Sequence, residues 1–99
     1  MNNIKVITKF NKFTKENSYF IYCNDYYLEI GNKSNLIFLM YILENFKKAK
    51  IDNNNPFFKI SFNNENFYLT YKPSNKKLCL NRQDLGTLLA NLYIKKVGY

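Results

Sequence analysis

The sequence predicts an α+β protein in which a three-strand, one-helix unit is written twice, βββα-βββα. Three observations carry this. Short runs rich in β-branched and aromatic residues are punctuated by Asn, Asp and Pro. The apolar period changes to a helical one at Leu36 and again near Leu85. And "ENSYFIY" (16–22) is nearly repeated as "ENFYLTY" (65–71), 49 positions later in a chain of 99.

The elements follow in order. "IKVITKF" (4–10) alternates as a strand, and "SYFIYC" (18–23) is a second. Asn24-Asp25 is turn chemistry, so "YYLEI" (26–30) is the hairpin partner. "GNKSN" (31–35) ends the strand and offers Asn32 or Ser34 as a helix cap. Leu36, Leu39, Met40, Leu43 and Phe46 then recur at helical spacing, and "KKAK" (47–50) places cations at the helix's negative end. "IDNNNP" (51–56) reads as a loop. The second pass gives strands at 57–62, 66–72 and 76–80. Asn81 with Asp84 is a variant capping box, Leu85, Leu88, Leu89 and Leu92 form a helical stripe, and Gly98 is a stop.

Aligned at an offset of 49, Glu16, Asn17, Tyr19 and Tyr22 match Glu65, Asn66, Tyr68 and Tyr71. After the second turn, Leu28, Ile30, Phe38, Leu39 and Ile42 match Leu78, Leu80, Leu88, Leu89 and Leu92 at an offset of 50, as if one turn residue had been added. A unit of half this length buries too little surface to stand alone, so the expectation is one domain (1–99) from two units, about 1–50 and 51–99, that complete one core.

Strand alternation sorts the faces. In the second unit Phe58, Ile60, Phe62, Phe67, Leu69, Tyr71, Leu78 and Leu80 are expected to face their own helix. Lys59, Tyr68, Thr70, Lys72, Lys77 and Cys79 are expected outside. Carried to the first unit by the 49-residue match, the outer face holds Lys5, Ile7, Lys9, Tyr19, Ile21, Cys23, Tyr27 and Glu29.

Composition narrows the function classes. The chain is 46% hydrophobic and 18% aromatic, enough for a core. Its longest apolar run, "LIFLMYIL" (36–43), is far shorter than the roughly 20 residues that cross a bilayer, and "MNNIKVITKF" lacks a signal-peptide pattern. A cytoplasmic protein of a bacterial host cell, with no membrane partner, is the expectation. The abundance of Asn, Lys, Ile, Tyr and Phe is that of an AT-rich genome, a low-GC bacterium, its phage or its plasmids.

Histidine is absent, the seven acids are scattered over turns, helix ends and exposed strand positions, and three glycines make no phosphate-binding loop. Glu16 and Glu65 match across the repeats, but no further ligand lies near either, so neither a metal nor another cofactor is expected. Cys23 and Cys79 stand alone and read as free thiols. A non-enzymatic binding protein is expected.

Net charge is +8, spread evenly at +4 per half, which suits a polyanionic partner. Lys59, Tyr68, Thr70, Lys72 and Lys77, with Arg82 at the strand–helix junction, are the candidate binding set. Lysines contact phosphates and aromatic rings stack on unpaired bases. The plainer explanation is a solvated sheet face in a Lys- and Tyr-rich protein. "KKLCLNRQDLGTLLANLYI" (76–94), a strand passing through a polar cap into an amphipathic helix, resembles at the level of topology the single-stranded nucleic-acid-binding group of the PC4 coactivator, Whirly and PUR proteins. Those pair sheet-plus-helix units, and the resemblance implies single-stranded DNA or RNA as partner. Two other classes stand beside it. One is an anti-defence inhibitor of a mobile element, for instance of anti-CRISPR type, bound to a host protein or nucleoprotein. The other is a homodimeric adaptor joined through Ile7, Tyr19, Ile21 and Tyr27.

Overall fold

Asn24 takes a left-handed backbone, φ 56°, and with Asp25 closes a two-residue turn, so Cys23 pairs with Tyr26, Tyr22 with Tyr27 and Ile21 with Leu28. That turn joins the central and last strands of the first sheet in the computed structural model, which describes residues 3–45 and 55–98. The order is β1 (Ile4–Asn11), β2 (Glu16–Cys23), β3 (Tyr26–Gly31), α1 (Lys33–Asn45), β4 (Phe58–Phe62), β5 (Asn66–Tyr71), β6 (Lys76–Asn81) and α2 (Leu85–Lys96). A single 3-10 turn, Arg82–Asp84, leads into α2. The strands form two antiparallel three-stranded sheets, β1-β2-β3 and β4-β5-β6. The duplicated βββα arrangement is therefore present. The "KKAK" segment and residues 51–54 of the loop lie outside the described residues.

Local chemistry explains the boundaries. Gly31, at φ 91°, turns β3 into α1, and Asn32 caps that helix, its Oδ1 accepting from the Asn35 amide at 3.1 Å. The Asn81–Asp84 capping box does not form. Neither residue makes a side-chain cap hydrogen bond, because the 3-10 turn intervenes between strand and helix. Lys95 and Lys96 occupy the last turn of α2, and Gly98 follows at φ 98°, its amide donating to the Lys95 carbonyl.

One hydrophobic cluster joins the units. It contains Val6, Ile21 and Leu28 of the first sheet, Ile60, Leu69 and Leu78 of the second, and the buried leucines of both helices. The body of α2 lies against β1 of the other unit and against α1, while Leu85 in its first turn lines a small apolar cleft with Ile60 and Phe67 of its own sheet. The expected pairing of each sheet with its own helix is thus only part of the packing.

The two hairpins show how the units correspond. Ile21, between Val6 and Leu28, occupies the place that Leu69 occupies between Ile60 and Leu78. The offset is 69 − 21 = 48 before the second turn and 78 − 28 = 50 after it. Two turn residues, not one, separate the copies: Cys23 and Tyr26 flank two residues, Tyr71 and Lys76 flank four. The 49-residue sequence match is one residue out of phase with the structure, and a one-residue slip reverses every side chain of a strand. Tyr19, Ile21 and Cys23 are accordingly buried, at 6%, 0% and 6% exposure, where an outer face was expected. Phe20 and Tyr22 take the outside. In the second unit the expected faces hold, apart from Phe62, which is 45% exposed at the sheet's end, and Thr70, which is buried.

Candidate nucleic-acid interface

The corrected phase of β2 builds an aromatic and basic surface on the first sheet. Its outer residues fall in cross-strand rows: Lys5, Tyr22 and Tyr27, then Ile7, Phe20 and Glu29, then Lys9 opposite Ser18. The Tyr22 and Tyr27 ring centroids are 4.7 Å apart with planes inclined by 58°. Lys9 Nζ lies 5.6 Å from the Phe20 ring centroid and 5.7 Å from that of Tyr27, within reach of a cation–π attraction. Tyr22 donates to Asp25 Oδ1 at 3.4 Å. Its phenol is raised above the ordinary value, first by the loss of surrounding water, then by the Asp25 carboxylate and by Tyr27, so its ring is neutral at neutral pH. Tyr26 and Tyr27 are exposed.

On the second sheet, Lys59, Thr70 and Lys77 form one row and Ser61, Tyr68 and Cys79 the next. Lys59, Thr70, Lys77 and Tyr68 of the expected set are therefore neighbours, although Thr70 is covered between two lysines whose stems can lie along the sheet. Lys72 and Arg82 are elsewhere. Lys72 Nζ donates to the Asn55 carbonyl at 2.6 Å and its amide donates to the Phe57 carbonyl, which binds the β5–β6 turn to the start of β4. The Arg82 guanidinium lies over the Phe62 ring, 5.1 Å from its centroid, and donates to the Asn63 carbonyl, so it braces the β4–β5 turn.

The second sheet thus offers one ring beside a row of two lysines, the first sheet three rings. Sequence reasoning missed Phe20 and Tyr22. Hairpin arithmetic could have found them: a two-residue turn at Asn24-Asp25 pairs Ile21 with Leu28, so the two must share a face. Of the residues expected to form a dimer interface, Ile7 and Tyr27 are on the outer face and Tyr19 and Ile21 are in the core, unavailable to a partner.

The β1–β2 hairpin also runs on past the core. From the Ile21 row it continues five pairs to Asn11 and Glu16, whereas the β4–β5 hairpin ends two pairs beyond Leu69. Both tips are pinned by an asparagine. Asn11 Oδ1 accepts from the Phe13 and Thr14 amides at 2.9 and 3.3 Å, and Asn63 Oδ1 accepts from those of Glu65 and Asn66 at 3.0 and 2.9 Å. The first tip presents Lys12, Phe13 and Lys15, the second Asn64 and Glu65. Phe13 is 97% exposed.

Cys23 and Cys79 are free, the former buried and the latter exposed. Among the described residues no three His, Cys, Asp or Glu side chains gather as a metal site would require. Nor is any described helix long and apolar enough to cross a membrane. Comparison of the chain with protein-family models, with curated proteins and with solved structures finds no match.

Proposed function

We propose that this protein is a non-enzymatic, sequence-tolerant binder of single-stranded nucleic acid, and that the outer face of its first sheet is the principal contact surface. The observation that carries the reading is the row of Lys5, Tyr22 and Tyr27 with Lys9 over Phe20 and Tyr27. Such a face supplies what an unpaired strand needs. Cations meet phosphates, ring faces meet bases, and stacking contributes about 1–3 kcal/mol per base in systems of this kind. The net charge of +8 favours the encounter. Lys59, Tyr68 and Lys77 extend the same chemistry onto the second sheet. The topological likeness to the PC4, Whirly and PUR group points the same way.

Titrating a fluorescent oligonucleotide at two salt concentrations tests the reading. The expected result is measurable affinity at low salt that falls steeply as salt rises. An absence of binding at low salt refutes it.

A second reading has its own observation. Phe10 and Phe13, 61% and 97% exposed on the projecting hairpin, also suit insertion into an apolar recess of a host protein, as an anti-defence inhibitor of anti-CRISPR type would use. A protein partner retained from host lysate after nuclease treatment would favour it.

A further inference from the structure

The projecting hairpin and the outer face of the first sheet meet in a groove of about 440 Å³. Its walls include Lys9, Phe13 and Phe20, with Lys12 beside the tip and Glu29 on the side of β3. That volume is in the range of small-ligand sites. Phe20 belongs both to this groove and to the stacking face, so the groove continues the surface rather than standing apart from it. The groove's tip is held before any ligand arrives. Asn11 fixes the Phe13 and Thr14 amides, and Lys15 adopts φ 60° with its amide on the Asn11 carbonyl. The backbone that carries this exposed ring is thereby fixed in advance, so binding has only the side chain left to order.

We infer that this groove is a single-nucleotide subsite that prefers bases with an exocyclic amine, cytosine, adenine or guanine, over thymine or uracil. The inference rests on the nucleic-acid reading above. Phe13 and Phe20 offer ring faces to the base, and Lys9 and Lys12 attract its flanking phosphates. Glu29 is the acid among the groove's lining residues, and an ionised carboxylate only accepts hydrogen bonds. It can accept from cytosine N4 or adenine N6, whereas an unpaired thymine offers it only N3–H, flanked on both sides by carbonyl oxygens that repel it. A lipid headgroup could use the lysines and Phe13 but has no ring to lie between Phe13 and Phe20.

The test is fluorescence anisotropy with homo-oligonucleotides of about ten dC, dA or dT residues at low salt. Wild type should bind dC and dA at least about fivefold more tightly than dT. Glu29→Gln, whose amide both donates and accepts, should bring that ratio close to one, whatever its effect on overall affinity. Phe13→Ala should weaken all three by about tenfold while leaving the fold intact, because the ring is almost wholly exposed. Equal affinity of wild type for dC, dA and dT overturns the subsite while leaving the binding function standing. So does a preference that Glu29→Gln leaves unchanged. Binding to none of the three overturns the functional reading and the subsite together. Vesicles of phosphatidylserine and phosphatidylcholine provide the last arm. If Phe13→Ala abolishes vesicle binding but leaves oligonucleotide affinity unchanged, the tip is a membrane contact and the subsite is refuted.

Discussion

Ile21 and Leu69 hold equivalent central places in the two sheets, each fully buried and each opposite a buried leucine, Leu28 or Leu78, of the next strand. Their equivalence, 48 residues apart, fixes which side chains of each unit face the core. Truncation at either place should therefore be costly. Ile21→Ala and Leu69→Ala should each destabilise the protein by about 2–5 kcal/mol in urea unfolding. Tyr22→Ala, on the outer face, should cost clearly less. A Tyr22 variant as damaging as the Ile21 variant would contradict the assigned phase.

Gly31 joins the units by close approach. At φ 91° it sits where an added Cβ would collide with the Asn35 side-chain nitrogen Nδ2 and come within 3.0 Å of the Tyr71 hydroxyl. Gly31→Ala is expected to lower stability by more than about 1 kcal/mol, through backbone strain and displacement of Asn35. Thermal unfolding would show it as a clear drop in Tm. An unchanged Tm would mean that the turn tolerates a side chain.

Tyr71 gives the stability a pH dependence. Burial and the Glu29 carboxylate raise its phenol above the ordinary value, and a hydrogen bond with Asn35 opposes them. The neutral phenol is thus favoured in the folded protein. Its contribution is whole below the unfolded value of about 10 and is lost as pH rises through the folded value. Wild type should lose more stability than Tyr71→Phe between about pH 9 and 11. Parallel pH profiles for the two proteins would contradict this.

The two thiols should differ in reactivity. Cys79 is exposed on the outer face of the second sheet, whereas Cys23 is buried and its thiol is raised, first by burial and then by the Asp84 carboxylate. Brief treatment of the native protein with an alkylating reagent should label Cys79, and Cys23 only after denaturation. Equal native labelling would place Cys23 wrongly.

Much of the fold was legible because turns announce themselves. Asn24-Asp25, Asn63-Asn64 and Pro73-Ser74-Asn75 end strands by backbone chemistry that needs no tertiary context. The β4–β6 faces were legible too, because Lys59, Thr70 and Lys77 contrast with Phe58, Leu69 and Leu78. Strand β2 offered no such contrast. "SYFIYC" is apolar or aromatic on both sides, so alternation alone does not say which side is in. The literal likeness of "ENSYFIY" and "ENFYLTY" then pointed to the wrong phase. The aromatic outer face of the first sheet was hidden for the same reason: Phe20 and Tyr22 look like core until the two-residue turn sets the register. Arg82 and Lys72 were legible as cations but not as braces, since their carbonyl partners come from other turns.

If the first sheet's outer face binds unpaired bases, the double variant Tyr22→Ala/Tyr27→Ala, which removes two of its three rings, should lose that binding. Its affinity for a single-stranded oligonucleotide should be measured at low salt beside that of wild type and Tyr68→Ala, with circular dichroism verifying the fold of each. The double variant should bind at least about tenfold more weakly than wild type, and Tyr68→Ala should lose less. A folded double variant that binds as tightly as wild type would contradict the claim.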